Sequence, residues 1–161
     1  MPDFIFKEEQ KFTQWWLWVL LAIVAVSLSS ITLYQLYEGN PFSDNPVVFT
    51  ILGSGSLIAL ILLITFSSLK MTTEADSEGI RVRFAPFVNR KFYWKEMKSA
   101  EVIDYGFVGG WGVRLFTRYG TVYNVQGSDG LYMQLKNGKK YVIGTQRPDE
   151  LSELVNDMVT V

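Results

Sequence analysis

Arginine side chains paired with aromatics carry most of the chemistry this sequence can offer. Arg114, Phe116 and Arg118 alternate with Val113, Leu115 and Thr117, so on a strand they form a stripe of two guanidinium groups with an aromatic ring between them. Such a stripe suits an acidic protein partner, another copy of the chain or the anionic surface of a membrane. A solvated outer face has the same composition. Just before it runs Tyr105-Gly106-Phe107-Val108-Gly109-Gly110-Trp111-Gly112, a pliable segment that nevertheless holds Phe107 and Trp111. Exposed, it is an interaction loop; folded back, Trp111 plugs the core and the glycines permit a bulge.

Other chemistries are excluded by residue type. The chain has no Cys and no His, which removes disulfides, thiolate and imidazole metal sites, cysteine nucleophiles and the usual general base. Glu101, Asp104 and Asp129 have no visible partner set for glycoside chemistry or divalent cations, so no metal and no cofactor is expected. The glycines between Gly120 and Gly130 do not follow the order of strand, glycine-rich loop, Lys-Ser/Thr and helix that a phosphate loop requires; they are read as turns. From Lys70 onward 13 Lys or Arg face 11 Asp or Glu, too weak an excess for a nucleic-acid footprint. No small-molecule substrate is evident, and the chain is read as a non-enzyme.

The elements that must position these residues begin with two apolar runs. No Asp, Glu, Lys or Arg occurs from Phe12 to Tyr37 or from Asn45 to Leu69, and about 20 apolar residues at helical rise cross a hydrocarbon core of about 30 Å. The expected spans are about 14–37 and 46–69. The first run is too long for a signal peptide, is led by Asp3, Glu8 and Glu9 as well as lysines, and is followed at once by a second run, so both helices are expected in the mature chain. Lys7 and Lys11 precede the first span and Lys70, Arg81 and Arg83 follow the second, whereas Glu38 to Asp44 carries no positive charge. Positive flanks are held in the cytoplasm. A multi-pass cell-membrane protein with both termini cytoplasmic and a short acidic turn outside is therefore expected. Small residues spaced by four, Ala25 with Ser29, Thr50 with Ser54 and Gly55 with Ala59, let helix backbones approach within the hairpin, or between copies. The Gly53-Ser54-Gly55-Ser56 run could loosen the second helix.

After Lys70 the apolar period changes to two. Strands are expected around Ile80 to Phe84, Phe92 to Trp94, Ala100 to Tyr105, Gly112 to Phe116, Thr121 to Gln126, Gly130 to Lys136 and Lys140 to Gly144, with Asn137-Gly138 as a hairpin turn. Pro148, then Asp149 and Glu150, open a closing helix over 148–159 whose Leu151, Leu154, Val155, Met158 and Val159 make one apolar stripe. The expected class is an α+β membrane protein: an N-terminal segment and helical hairpin over 1–69, then a mostly antiparallel β domain over 70–161, a small bent sheet or partial barrel capped by the last helix.

The strand and helix order, the segment Tyr93-Trp94-Lys95-Glu96-Met97 leading into Ser99-Ala100-Glu101-Val102, and the ending from Asn137-Gly138-Lys139 through Ile143-Gly144-Thr145 to Pro148-Asp149-Glu150-Leu151 resemble bacterial pleckstrin-homology-like domains. The resemblance covers roughly residues 70 to 160, and a preceding pair of membrane helices is common among such bacterial proteins. It implies a binding or scaffolding module without catalysis, in a family with no assigned function. Relatives that bind phosphoinositides often carry a lysine, a spacer and two basic residues separated by one, which Lys70 and Arg81-Val82-Arg83 match loosely; Glu74, Asp76 and Glu78 in the spacer oppose a phosphate. The expected function is a membrane-tethered interaction module that binds a protein partner or its own copies. Two alternatives are sensing of anionic membrane lipid by Arg81, Arg83, Arg114 and Arg118, and an oligomeric pore or transport accessory.

Overall fold

The computed structural model describes residues 5–38 and 46–159. The chain forms two compact units, Thr13–Ser68 and the combination of Met1–Phe12 with Leu69–Val161. The acidic turn expected outside the membrane lies outside the described residues.

The first unit is a helix pair, α1 over Trp15–Glu38 and α2 over Pro46–Ser68. Their 24 and 23 residues give lengths of about 35 Å at 1.5 Å per residue, and both are long and apolar enough to cross a membrane. Ala25, Ser56 and Ala59 are buried between them, and the hydroxyls of Ser29 and Ser56 are hydrogen-bonded at 2.9 Å. Gly55 also faces the partner helix, with Leu28 beside it. Thr50 and Ser54, by contrast, are exposed, and α2 runs unbroken through Gly53-Ser54-Gly55-Ser56. Other hydroxyls bond back to their own helix: Thr32 donates to the Leu28 carbonyl at 2.8 Å and Thr65 to that of Ile61 at 2.7 Å. These bonds satisfy the hydroxyls within their own helix.

The second unit, expected as a small bent sheet or partial barrel capped by the last helix, is built from two sheets. The first is an antiparallel set of β1 (Phe6–Lys11), β2 (Lys70–Ala75), β3 (Gly79–Ala85) and β4 (Val88–Tyr93), in that order. The second contains β5 (Met97–Asp104), β6 (Gly112–Thr117), β7 (Gly120–Asn124), β8 (Asp129–Leu135) and β9 (Lys140–Gly144), ordered β5-β8-β9-β7-β6. All its pairs are antiparallel except β7 with β9. A 3-10 turn, Trp94–Glu96, links the sheets, and α3 (Pro148–Val159) packs on β5 and β8 through Leu151, Leu154 and Val155.

Two strands went unread in the sequence. In β1 the inward positions are Phe6, Glu8 and Gln10, so the period of two is masked by polar residues. Residues 6–11 thus belong with the β-rich unit, although the boundary was expected at 69/70. Glu8 is buried because its carboxylate has partners: the Thr145 hydroxyl donates at 2.6 Å, the Gln146 amide at 2.7 Å and the Gln10 amide at 3.1 Å. In β2, Met71, Thr72 and Thr73 are buried in succession, which erases alternation. Its neighbours are nonetheless regular, with Lys11 opposite Lys70 and Lys70 opposite Ala85.

Asn137-Gly138 makes the expected turn. Gly138 has φ +83°, a left-handed conformation that glycine adopts without a Cβ penalty, and the Lys139 amide donates to the Asn137 side chain at 3.0 Å. The core lies between the sheets and under α3, where Met71, Ile80, Val82, Met133, Ile143 and Leu151 are fully buried.

A cationic groove as the candidate binding site

The strand period of two places Val88, Arg90 and Phe92 of β4 opposite Phe84, Val82 and Ile80, all core-facing. Arg90, itself exposed, therefore leaves the sheet edge on the face that carries Phe92. Its guanidinium donates to the Tyr141 hydroxyl at 3.0 Å and lies 5.4 Å from the centre of that ring, an arrangement in which the ring's negative face attracts the cation. Phe92 packs on the same ring at 4.8 Å. Tyr123 also neighbours Arg90; burial raises its phenol above the ordinary value, and the guanidinium pulls the other way.

Around this arginine opens a groove of about 670 Å³ between β4 and the strands β6, β7 and β9. Lys139 and Lys140 line it beside Arg90, and among the described residues no Asp or Glu does. Phe87, Leu115 and Phe116 also line it, and all three are exposed. The last two owe their position to a bulge. Arg114 pairs with Val122 and Thr117 with Gly120, so Leu115 and Phe116 together oppose Thr121 alone. Phe116 takes φ +59°, a left-handed conformation that costs a non-glycine residue roughly 1–2 kcal/mol. It is 96% exposed.

The bulge overturns the expected stripe of Arg114, Phe116 and Arg118, because alternation stops after Arg114. A Cβ on Gly110 would lie 2.2 Å from Nη2 of Arg114, so this guanidinium lies against the backbone of the glycine-rich segment rather than on an outer face. Arg118 is in the β6–β7 turn, where it donates to the Tyr105 carbonyl at 3.3 Å and lies 4.7 Å from the Tyr119 ring centre. Both arginines brace the segment that precedes them.

That segment divides by residue. Tyr105 is fully buried in a cluster with Val122 and Val142, and Val108 packs against it. Phe107 is 80% exposed, and Trp111 is half-buried. The plug is thus Tyr105 with Val108, and the exposed aromatic is Phe107. Arg81 and Arg83 are on the outer face of β3, Arg81 between Glu74 and Lys91 and Arg83 between Thr72 and Asn89. Neither lines the groove. Lys70 is ion-paired to Glu9 at 2.7 Å, which holds the Glu9 carboxyl below its ordinary range chiefly through that hydrogen bond.

Of the candidate binding residues read from the sequence, only Phe116 lines this groove. Arg90, Lys139, Lys140 and the two tyrosines were missed. One signal was present for Arg90: extending the period of two backward from Phe92 sets it on the face that carries that ring. Among the described residues no cluster of three metal-ligating side chains forms. The chain matches no protein-family model, no curated protein and no solved structure.

Proposed function

We propose that this chain is a membrane-tethered, non-enzymatic recognition module. Its two apolar helices anchor it as a multi-pass protein, and its β-rich unit, a pleckstrin-homology-like domain at the cytoplasmic surface, binds an anionic partner in the groove. The observation that carries the reading is the groove's charge: Arg90, Lys139 and Lys140 stand in one concavity whose described lining contains no carboxylate. Cations gathered without counter-charge repel one another unless an anion joins them.

Several features support the remaining parts. Length, apolarity and the internally bonded hydroxyls support a bilayer location for α1 and α2. Hydrogen-bonded pairing of β1 with β2 supports both ends of the helix pair on one side, and Lys7, Lys11 and Lys70 at those ends support the cytoplasmic side. The largely antiparallel strand run, the 3-10 turn at Trp94 and the hairpin ending Ile143-Gly144-Thr145 before α3 support the pleckstrin-homology-like kinship.

A photoreactive diazirine side chain at Thr121, inside the groove, tests the reading in native membranes because it captures lipid and protein alike. The expected result is a discrete adduct that falls several-fold in K139Q/K140Q. No adduct, or one indifferent to the two lysines, rejects the groove as the site.

A further inference from the structure

The register of the first sheet identifies which end of the β-rich unit carries the groove. β1 ends at Lys11, beside Lys70, and Lys70 stands beside Ala85, where the β3–β4 turn begins. That turn, Ala85-Pro86-Phe87, is therefore at the strand ends that the chain joins to its helices. Three residues separate β1 from α1 and one separates α2 from β2. At up to about 3.6 Å per residue, tethers this short reach little farther than the polar layer of a bilayer, roughly 5–8 Å on each side of the hydrocarbon.

Phe87 lies in that turn, and it lines the groove together with Leu115, Phe116, Lys139 and Lys140. The same end of the unit therefore presents exposed apolar side chains with cations beside them. The Phe116 conformation adds an independent observation. A costly left-handed φ holds this ring almost wholly in solvent, where it makes no return in packing within the chain. Strain of that kind persists where function requires the side chain to be displayed.

We infer that the groove rim is a docking surface for the anionic leaflet of the membrane in which the chain is anchored. Phe116, Leu115 and Phe87 enter the boundary between headgroups and acyl chains, and Lys139, Lys140 and Arg90 engage headgroup phosphates. Both parts follow the physics of interfacial binding, in which buried apolar area and attraction to acidic lipid add. An acidic protein segment meets the cations equally well but leaves unexplained why the apolar rim stands at the tethered strand ends. The inference rests on the membrane-tethered reading above and names the anionic partner of that same groove.

The absence of cysteine from the chain permits a single spin label at F116C, or at F87C if the first variant folds poorly, with E153C on the exposed side of α3 as the reference. The full chain is reconstituted in vesicles of phosphatidylcholine alone and with phosphatidylglycerol added. In the acidic vesicles the label at 116 is expected to gain collisions with oxygen and lose them with a water-soluble nickel chelate, while the label at 153 stays nickel-accessible. Adding K139Q/K140Q should lower the docked-to-undocked ratio about thirtyfold, since each basic residue near an acidic surface contributes about a fivefold factor. A label at 116 that stays nickel-accessible in both vesicles overturns the proposal. So does one shielded from both collision partners, which would mean that a second copy covers the rim. If the Thr121 adduct proves lysine-dependent but contains protein, the groove remains the site and the lipid assignment alone fails.

Discussion

At the scale of single residues, the stability of the β-rich unit depends on polar side chains whose partners are close and complete. Asp76, in the β2–β3 turn, accepts the Glu78 and Gly79 amides, each at 2.9 Å, and the Lys91 ammonium at 3.0 Å. Partial burial pushes its carboxyl up, but Lys91 and the two amides more than offset this, and the group titrates below the ordinary aspartate value. A carboxyl whose pKa is lower folded than unfolded stabilises the fold above its unfolded value and loses that contribution as pH falls through the folded one. Asp76→Ala is therefore expected to cost about 1–2 kcal/mol at neutral pH, and the gap from the parent should close in acid below the ordinary aspartate range. Thermal melts of both proteins across that range check it; a gap that widens toward acid contradicts the assignment. The sequence showed Asp76 only as spacer charge opposing a phosphate. Its role depends on Lys91, which reaches it from β4, and no local pattern reveals that.

At the scale of elements, β1 closes the unit by joining chain positions nearly at opposite ends. Glu8 binds the Thr145 hydroxyl and the Gln146 amide just beyond β9, and Arg147 donates to the Lys7 carbonyl at 3.1 Å while its guanidinium lies 5.2 Å from the Phe6 ring centre. Glu8→Ala leaves buried donors without an acceptor and should cost about 2–4 kcal/mol. Chemical denaturation of the full chain in detergent measures the loss, and a change within the scatter of surface substitutions would show that β1 is dispensable. β3 and the strands from β5 onward were legible from their apolar positions, and α3 from Pro148 and its stripe; β4 was read only at Phe92 and Tyr93, because polar Asn89, Arg90 and Lys91 hide its start, and Trp94, expected in that strand, opens the 3-10 turn. β1 was not, since its inward positions are filled by Glu8 and Gln10, whose burial depends on partners far along the chain. The bulge in β6 was equally hidden. Bulges with a left-handed residue are usually signalled by glycine, and here Phe116 takes that position.

At the scale of the whole molecule, the two helices are an insertion between neighbouring strands. Lys11 and Lys70 are register partners, so replacing Thr13–Ser68 with Asn-Gly should convert the break between β1 and β2 into a tight hairpin. The shortened chain is expected to be water-soluble and to melt cooperatively without detergent; an aggregated or unfolded product would show that the β-rich unit cannot stand alone. The helix pair itself was readable from composition, whereas the groove was not, because its walls come from β4 of one sheet and β6, β7 and β9 of the other. The pairing of β1 with β2 also bears on how the chain is made. β1 is synthesised first and has no partner until both helices have followed it. The first sheet therefore cannot begin to close until the whole helix pair has left the ribosome, and β1, with its inward Phe6, Glu8 and Gln10, stays unpaired until then.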